Sequence, residues 1–295
     1  MINDIINQYV LRFPAHWQFN VGDAIDVAVK NFSKNHQAGL TVIKDIAIGG
    51  VGSIKGLLNA IPWFVLVALV VLLAWRLTKK WHTGLLYGAM LIFVGCCGMW
   101  SLMLETLGVV IAGVALSISL GFPLGVLVAM SPRTNAVLRP VLDTMQTMPS
   151  WVYLVPSVIL FGVGTTPALL ATMTYAVVPM IRLTSHGLLY VDKEMIEAAY
   201  AFGSTKSQAL VKVQIPQAVP TIMTGVNQTI MMAMSMVVTC ALIGANGLGM
   251  EILLATNRVE MGKALFPGIC IVILAIILDR LTQAAVKRSE EGVDG

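Results

Sequence analysis

Apolar residues in this chain gather in long unbroken runs rather than in narrow stripes or alternating positions. Seven runs stand out, at about 62–78, 84–102, 105–130, 148–163, 168–186, 219–243 and 264–282. A bilayer's hydrocarbon core is spanned by roughly 20 helical residues. The pattern therefore predicts an all-α polytopic membrane protein with about seven transmembrane helices. The run at 148–163 is short, and Pro156 interrupts it.

Composition agrees with the pattern. Of 295 residues, 57% are apolar and only 12% are charged, with a mean hydropathy of +0.82. A soluble domain carries about twice that charge. The start, "MINDIINQYVLRF", lacks a basic stretch followed by an apolar run, so no cleavable signal peptide is expected. Residues 1–60 are mixed and moderately polar, with "IGGVGSIKG" before the first run. They are expected to form an N-terminal extracytoplasmic segment of amphipathic helices lying at the membrane surface.

Charge sets the expected orientation. Arg76, Lys79 and Lys80 follow the first run, and Arg133 and Arg139 the third. Lys193, Lys206 and Lys212 follow the fifth, and Lys287 and Arg288 close the tail. These ten basic residues face two on the other side, Arg258 and Lys263. Basic loops stay inside, so the N-terminus is expected outside and the C-terminus in the cytoplasm.

One cytoplasmic segment breaks the apolar pattern: "EMIEAAYAFGSTKSQALVKVQIPQAVP", residues 194–220. Placing its Glu and Lys residues in lipid would cost about 2.5–3.5 kcal/mol each, so it is not another span. Asp192 is positioned to cap a short helix carrying Met195, Ala199 and Phe202 on one face. Gly203 sits where a left-handed terminating residue belongs. Thr205 and Gln208 have capping-box spacing for a second short helix, which Pro216 and Pro220 are expected to end. The result is a helix–turn–helix knob projecting from the bilayer.

"EAAYAFG", nine further residues and "VQIP" resemble the signature of ABC importer permeases, E-A-A, three residues, G, nine residues, I-x-L-P. Val213 and Ile215 replace one aliphatic residue by another. "RPVLDTMQTMPSWVYLVPSVILFGVG", "IRLTSHGL", "GVNQTIMMAMSMVV", "IGANGLG" and "VILAIILDRLTQA" resemble, more narrowly, permeases for glycine betaine, proline betaine and choline. The resemblance covers about residues 100–285. It implies a type I ABC importer core at 104–285, after an accessory pair of helices at 61–103 and before a cytoplasmic tail at 286–295. It makes 187–218 the coupling loop, with Glu197, Ala198, Ala199, Phe202, Gly203, Val213, Ile215 and Pro216 meeting a groove of a cytoplasmic ABC ATPase.

The same resemblance implies an extracytoplasmic substrate-binding protein, a second copy of this chain, and residence in the bacterial inner membrane. The implied cargo is glycine betaine, proline betaine, choline or carnitine. A permease for methionine or taurine is the alternative, followed by an ion-coupled secondary transporter, which would place ionisable residues at mid-membrane depth.

Nothing in the chain points to catalysis. There is no G-x-x-x-x-G-K-[ST], so ATP and Mg²⁺ are expected on the partner ATPase and no cofactor on this chain. Cys96, Cys97, Cys240 and Cys270 lack metal-ligand spacing and read as buried, inert thiols. The four histidines are scattered. No metal or nucleic-acid site is expected.

Trp151, Tyr153, Pro156, Tyr175, Asn227, Met234 and Ser235 are candidates for the substrate pathway. Aromatic faces can pass a quaternary ammonium group through cation–π contacts, although an interfacial belt or plain packing also explains them. Arg182, Asp279 and Arg280 read first as snorkelling anchors and second as contacts to the coupling loop. Gly244, Gly247 and Gly249 read as a tight extracellular turn.

Overall fold

The computed structural model describes residues 22–291. Residues 1–21 of the expected N-terminal segment, with His16, and residues 292–295 of the tail lie outside that range. Two compact units are present, Met1–Ile43 and Lys44–Gly295. In the first, α1 (Gly22–Asn35) is amphipathic, with Asp23 in its first turn and Lys34 in its last, each favourable to the helix dipole. Its Ile25, Val27 and Phe32 are exposed. Helix α2 (Gln37–Ala60) spans the boundary between the units.

Among its described residues the second unit is built of helices joined by short turns, with no strand, as lipid requires of a chain whose backbone groups must pair internally. After α2 come α3 (Trp63–Thr78), α4 (Trp81–Cys96), α5 (Trp100–Met130), α6 (Pro132–Thr147), α7 (Leu154–Phe161, after a 3₁₀ turn at Ser150–Tyr153) and α8 (Thr165–Leu189). Then follow α9 (Lys193–Ala201), α10 (Lys206–Ala209), a π-helical turn (Leu210–Gln214), α11 (Ile215–Ala241), α12 (Leu248–Asn257) and α13 (Met261–Glu291). Four segments are long and apolar enough to cross a bilayer alone: Trp100–Met130, Thr165–Leu189, Lys206–Ala241 and Met261–Lys287. Helices α3 and α4 have 16 residues each, about 24 Å, and Ser150–Phe161 is shorter still.

The expected boundaries shift for local reasons. The run at 84–102 is cut at residues 97–99, where Gly98 takes φ +73° and Trp100 starts a new helix. The segment after Met130, expected as a loop, is helix α6: Ser131 accepts from the Thr134 amide at 3.3 Å, and Pro132 occupies the first turn. Residues 44–60 do not lie apart from the bundle. Ala47 and Val51 are buried with Ala112 and Leu169, and Lys55 pairs with Glu105 at 2.7 Å. Cys240 and Cys270 are buried as expected, whereas Cys96 is exposed and Cys97 partly so.

A row of small residues on α5 decides the core. Gly113, Ser117, Gly121 and Gly125 recur every four residues and meet Thr172, Met173, Met180 and Thr184 of α8 in rising order. The two helices therefore run parallel, and α6 with α7 supplies the crossing needed to link them. A Cβ at Gly125 would lie 2.6 Å from the Thr184 Cβ and 2.8 Å from the Ile181 carbonyl oxygen. Ser117 donates to the Met173 carbonyl at 3.0 Å. Such close approach replaces the hydrophobic drive that lipid does not provide between helices. Helix α11 packs antiparallel on the other side of α8, through Gly187 against Thr221 and Gly225 against Leu183.

The glycines after α11 do more than turn. Gly244 and Gly247 have positive φ, but Gly249 sits against the Val237 carbonyl oxygen, only 2.4 Å from where its Cβ would be. They fold α12 back onto α11, and the Leu248 amide donates to Thr106 Oγ1 at 2.9 Å.

Gly125→Val should lower the thermal midpoint of the detergent-solubilised protein by several degrees, since overpacking costs about 1–3 kcal/mol. Gly268→Ala, at a position with nothing within 4 Å, should leave the midpoint unchanged or raise it. Equal midpoints for the two variants would contradict the close-packed α5–α8 seam.

Candidate coupling site and translocation face

The segment between α8 and α11 has local structure that its sequence specifies. The Asp192 carboxylate accepts from the Glu194 amide at 2.9 Å and caps α9. Gly203 closes that helix at φ +83°, with its amide donating to Tyr200 and the Ser204 amide to Ala199. A residue with a Cβ would pay about 1–2 kcal/mol for this conformation. Thr205 and Gln208 form the reciprocal capping box: the Thr205 amide donates to Gln208 Oε1 at 2.9 Å, and the Gln208 amide to Thr205 Oγ1 at 3.3 Å.

Pro216 and Pro220 do not end the second short helix. It continues through the π turn into α11, so Lys206–Ala241 is one apolar segment of 36 residues. Its length is about 54 Å against a ~30 Å hydrocarbon core, so roughly 16 residues extend beyond lipid. The wider π turn changes the hydrogen-bond register just ahead of Pro216, which then falls in the first turn of α11 where no N–H is needed. Pro220 leaves only the carbonyl of exposed Pro216 without its helical donor.

The knob has an anchored side and an open side. Ile196, Leu210 and Ile215 pack against Leu188, Val191, Ala218 and Ile222, joining α9 and the π turn to α8 and α11. Ala199 is buried on that side and Val213 partly buried. Glu197, Ala198, Gly203 and Pro216 are exposed, and Phe202 is 92% exposed. Met195, Ala199 and Phe202 therefore do not share one face: Ala199 points inward while the other two are open. Tyr200 and Val211, which sequence spacing did not single out, add exposed apolar surface. A charged, water-facing element presenting Phe202, Tyr200 and Val211 has the composition of a docking surface.

The pathway candidates separate into three sets. Tyr153 and Tyr175 meet edge to face at 5.6 Å, and the Tyr153 hydroxyl donates to the Met145 carbonyl. Trp151, Pro156 and Ser235 are exposed. Asn227 and Met234 turn inward instead. Asn227 donates to Asp279 Oδ1 at 3.0 Å, and Met234 is buried in the cluster shared with α13. Arg182 pairs with Asp143 of α6, not with the coupling segment, and Gln283 also holds Asp279 at 2.7 Å. Along α11, Thr224, Gln228, Met231, Ser235, Val238 and Leu242 form an exposed stripe at alternating spacings of four and three. Polar residues at such regular spacing on an intramembrane face suit a helix partner or a water-lined path better than lipid.

The family model described as "Binding-protein-dependent transport system inner membrane component" matches residues 121–291, which take in the knob and the striped face. The chain belongs to this family. It is a multi-pass inner-membrane permease of the ABC importer class. It is 43% identical over 269 residues to the glycine betaine/proline betaine transport system permease protein ProW of Escherichia coli (strain K12), covering 91% of this chain and 75% of that protein. It is 41% identical over 252 residues to the glycine betaine/carnitine transport permease protein GbuB of Listeria monocytogenes serotype 1/2a (strain 10403S), covering 84% and 89%. In structure the permease resembles a chain of the inward-facing MetNI methionine ABC transporter, with a TM-score of 0.58 at 20% identity over 63% of this chain and 93% of that one. That likeness establishes the fold.

Thr205→Val removes the capping-box acceptor and should cost about 1 kcal/mol locally. Faster amide exchange should then appear at residues 205–210, with 165–189 unchanged. Ile196→Asp places a charge in the anchoring cluster and should speed exchange through all of 192–216. Unaltered exchange in both variants would contradict the described anchoring.

Proposed function

We propose that the chain is the membrane-spanning subunit of an ATP-driven, binding-protein-dependent importer of quaternary ammonium compatible solutes such as glycine betaine, proline betaine, choline or carnitine. The observation that carries this function is the anchored knob at 192–216, whose exposed Phe202 and Glu197 stand clear of the bundle while Ile196 and Ile215 tie it to α8 and α11. The names of the 43% and 41% identical relatives support the betaine class. The methionine alternative has only fold likeness at 20% identity behind it. Secondary transport is disfavoured because Glu105 is already neutralised by Lys55, and Asp279 is held by Asn227 and Gln283.

Energy enters from a cytoplasmic ABC ATPase that binds ATP and Mg²⁺; this chain binds no cofactor and catalyses no reaction. One chain supplies one knob, and two ATPases require two, so the working unit holds two copies. The stripe on α11, with Trp151 and Pro156, lines the path between the copies, and an extracytoplasmic binding protein delivers the solute. ATPase closure draws the knobs together and opens the path outward; hydrolysis resets it. The N-terminus lies outside and the C-terminus in the cytoplasm.

In a cysteine-free background, a cysteine at Thr205 should react only from the cytoplasm and one at Asn257 only from outside; the reverse pattern overturns the orientation. Gly203→Val and Glu197→Lys should insert normally but lose at least tenfold of substrate-stimulated ATP hydrolysis in reconstituted vesicles, which corresponds to about 1.4 kcal/mol of coupling. Wild-type uptake by both would refute the coupling role. Exchanging the binding protein should change which solute stimulates hydrolysis, whereas Trp151→Ala should alter turnover more than preference.

A further inference from the structure

A second feature of the fold lies away from the knob, where the α3–α4 turn meets the end of α13. There a cleft of about 480 Å³ is lined by Lys80, Thr83, Tyr87, Arg280, Gln283 and Lys287, with the turn residues Thr78 and Lys79 at its edge. Its basic groups come from two elements far apart in sequence, so the cluster is not a by-product of one charged segment. The turn is ordered from within. Thr78 Oγ1 donates to the Ala74 carbonyl at 2.7 Å and lies 2.6 Å from Thr83 Oγ1, while Thr83 Oγ1 also contacts the Lys80 carbonyl at 2.7 Å.

Asp279, next to the lining residue Arg280, is otherwise engaged. Asp279 Oδ1 accepts from both Asn227 and Gln283, and its Oδ2 is 4.0 Å from Arg280 Nε. That distance is too long for a strong bond, so the terminal guanidinium nitrogens of Arg280 remain available for a planar, two-point contact with an oxyanion. Gathering several cations around one cavity is unfavourable unless an anion enters it.

The depth of the cleft identifies the source of that anion. It opens where three apolar helices end, and the turn is flanked by Trp75 and Trp81, 55% and 57% exposed, as aromatic residues are at the headgroup level. Leu72, Leu73, Leu85 and Leu86 are exposed on the same two helices and offer a surface for acyl chains. We propose that this cleft is a binding site for the phosphate headgroup of an anionic membrane lipid, with Lys80, Arg280 and Lys287 as its cationic contacts and Gln283, whose amide has a second N–H beyond the one given to Asp279, as a neutral donor. The site requires only that the chain span a membrane, and it is independent of the coupling role of residues 192–216.

The purified full-length protein, exchanged into micelles with equal amounts of phosphatidylglycerol and phosphatidylcholine, is examined by native mass spectrometry. The wild type should retain phosphatidylglycerol preferentially. Lys80→Gln with Lys287→Gln should reduce that retention about tenfold or more, given what each basic residue contributes near an anionic surface. Arg133→Gln with Arg139→Gln, which removes the same charge elsewhere, should not. Millimolar inorganic phosphate should fail to displace the lipid. Equal retention of the two lipids by the wild type, equal loss in both double variants, or displacement by inorganic phosphate would each overturn the lipid site. An unchanged thermal midpoint separates loss of the site from loss of fold.

Discussion

Packing of Ile196, Leu210 and Ile215 against Leu188, Val191, Ala218 and Ile222 is the contact on which the rest of the molecule depends. It ties α9, the first half of the water-facing knob, to two membrane helices through apolar side chains, beside the continuous helix that carries the second half into α11. Close-packed interiors transmit displacement rather than absorb it. Force applied at Phe202 therefore reaches α8 and α11 together. Without that cluster, α9 and the Gly203 turn would be a tethered loop, and only the extension of α11 from Lys206 would reach out of the bilayer.

What lies beneath the cluster makes the transmission directional. Helix α8 is clamped on one side by the small-residue row of α5 and on the other by α11, with Gly187 and Gly225 permitting contact at near-backbone distance. Continuity from Lys206 to Ala241 removes the hinge that two prolines would otherwise supply, because the π turn accommodates Pro216 without breaking the rod. The exposed stripe from Thr224 to Leu242 rides on that same rod. In the proposed importer, the ATPase contact and the solute path are thus two ends of one mechanical element.

Much of this was legible from sequence, and for identifiable reasons. Asp192, Gly203 and the Thr205–Gln208 pair act through local hydrogen bonds, so spacing alone reveals them. The apolar runs reveal the spans because lipid imposes length and composition. Contacts between distant segments were not readable: Arg182 with Asp143, Asn227 with Asp279, and the inward turn of Met234 depend on which helix lies alongside. Helix α6 escaped notice because its polar face and Pro140 mimic a loop. The four-residue recurrence of Gly113, Ser117, Gly121 and Gly125 was present in the sequence and would have predicted the α5 seam.

The central claim is that the knob and α11 move as one body. Spin labels at Ser207 in the two copies, and separately at Leu242 in the two copies, report the two ends of that body in the assembled, reconstituted transporter. Trapping the ATPases with ATP should shorten the Ser207 distance and lengthen the Leu242 distance together. Approach of the Ser207 labels with no change at Leu242 would show that the knob moves on its own and would contradict the account.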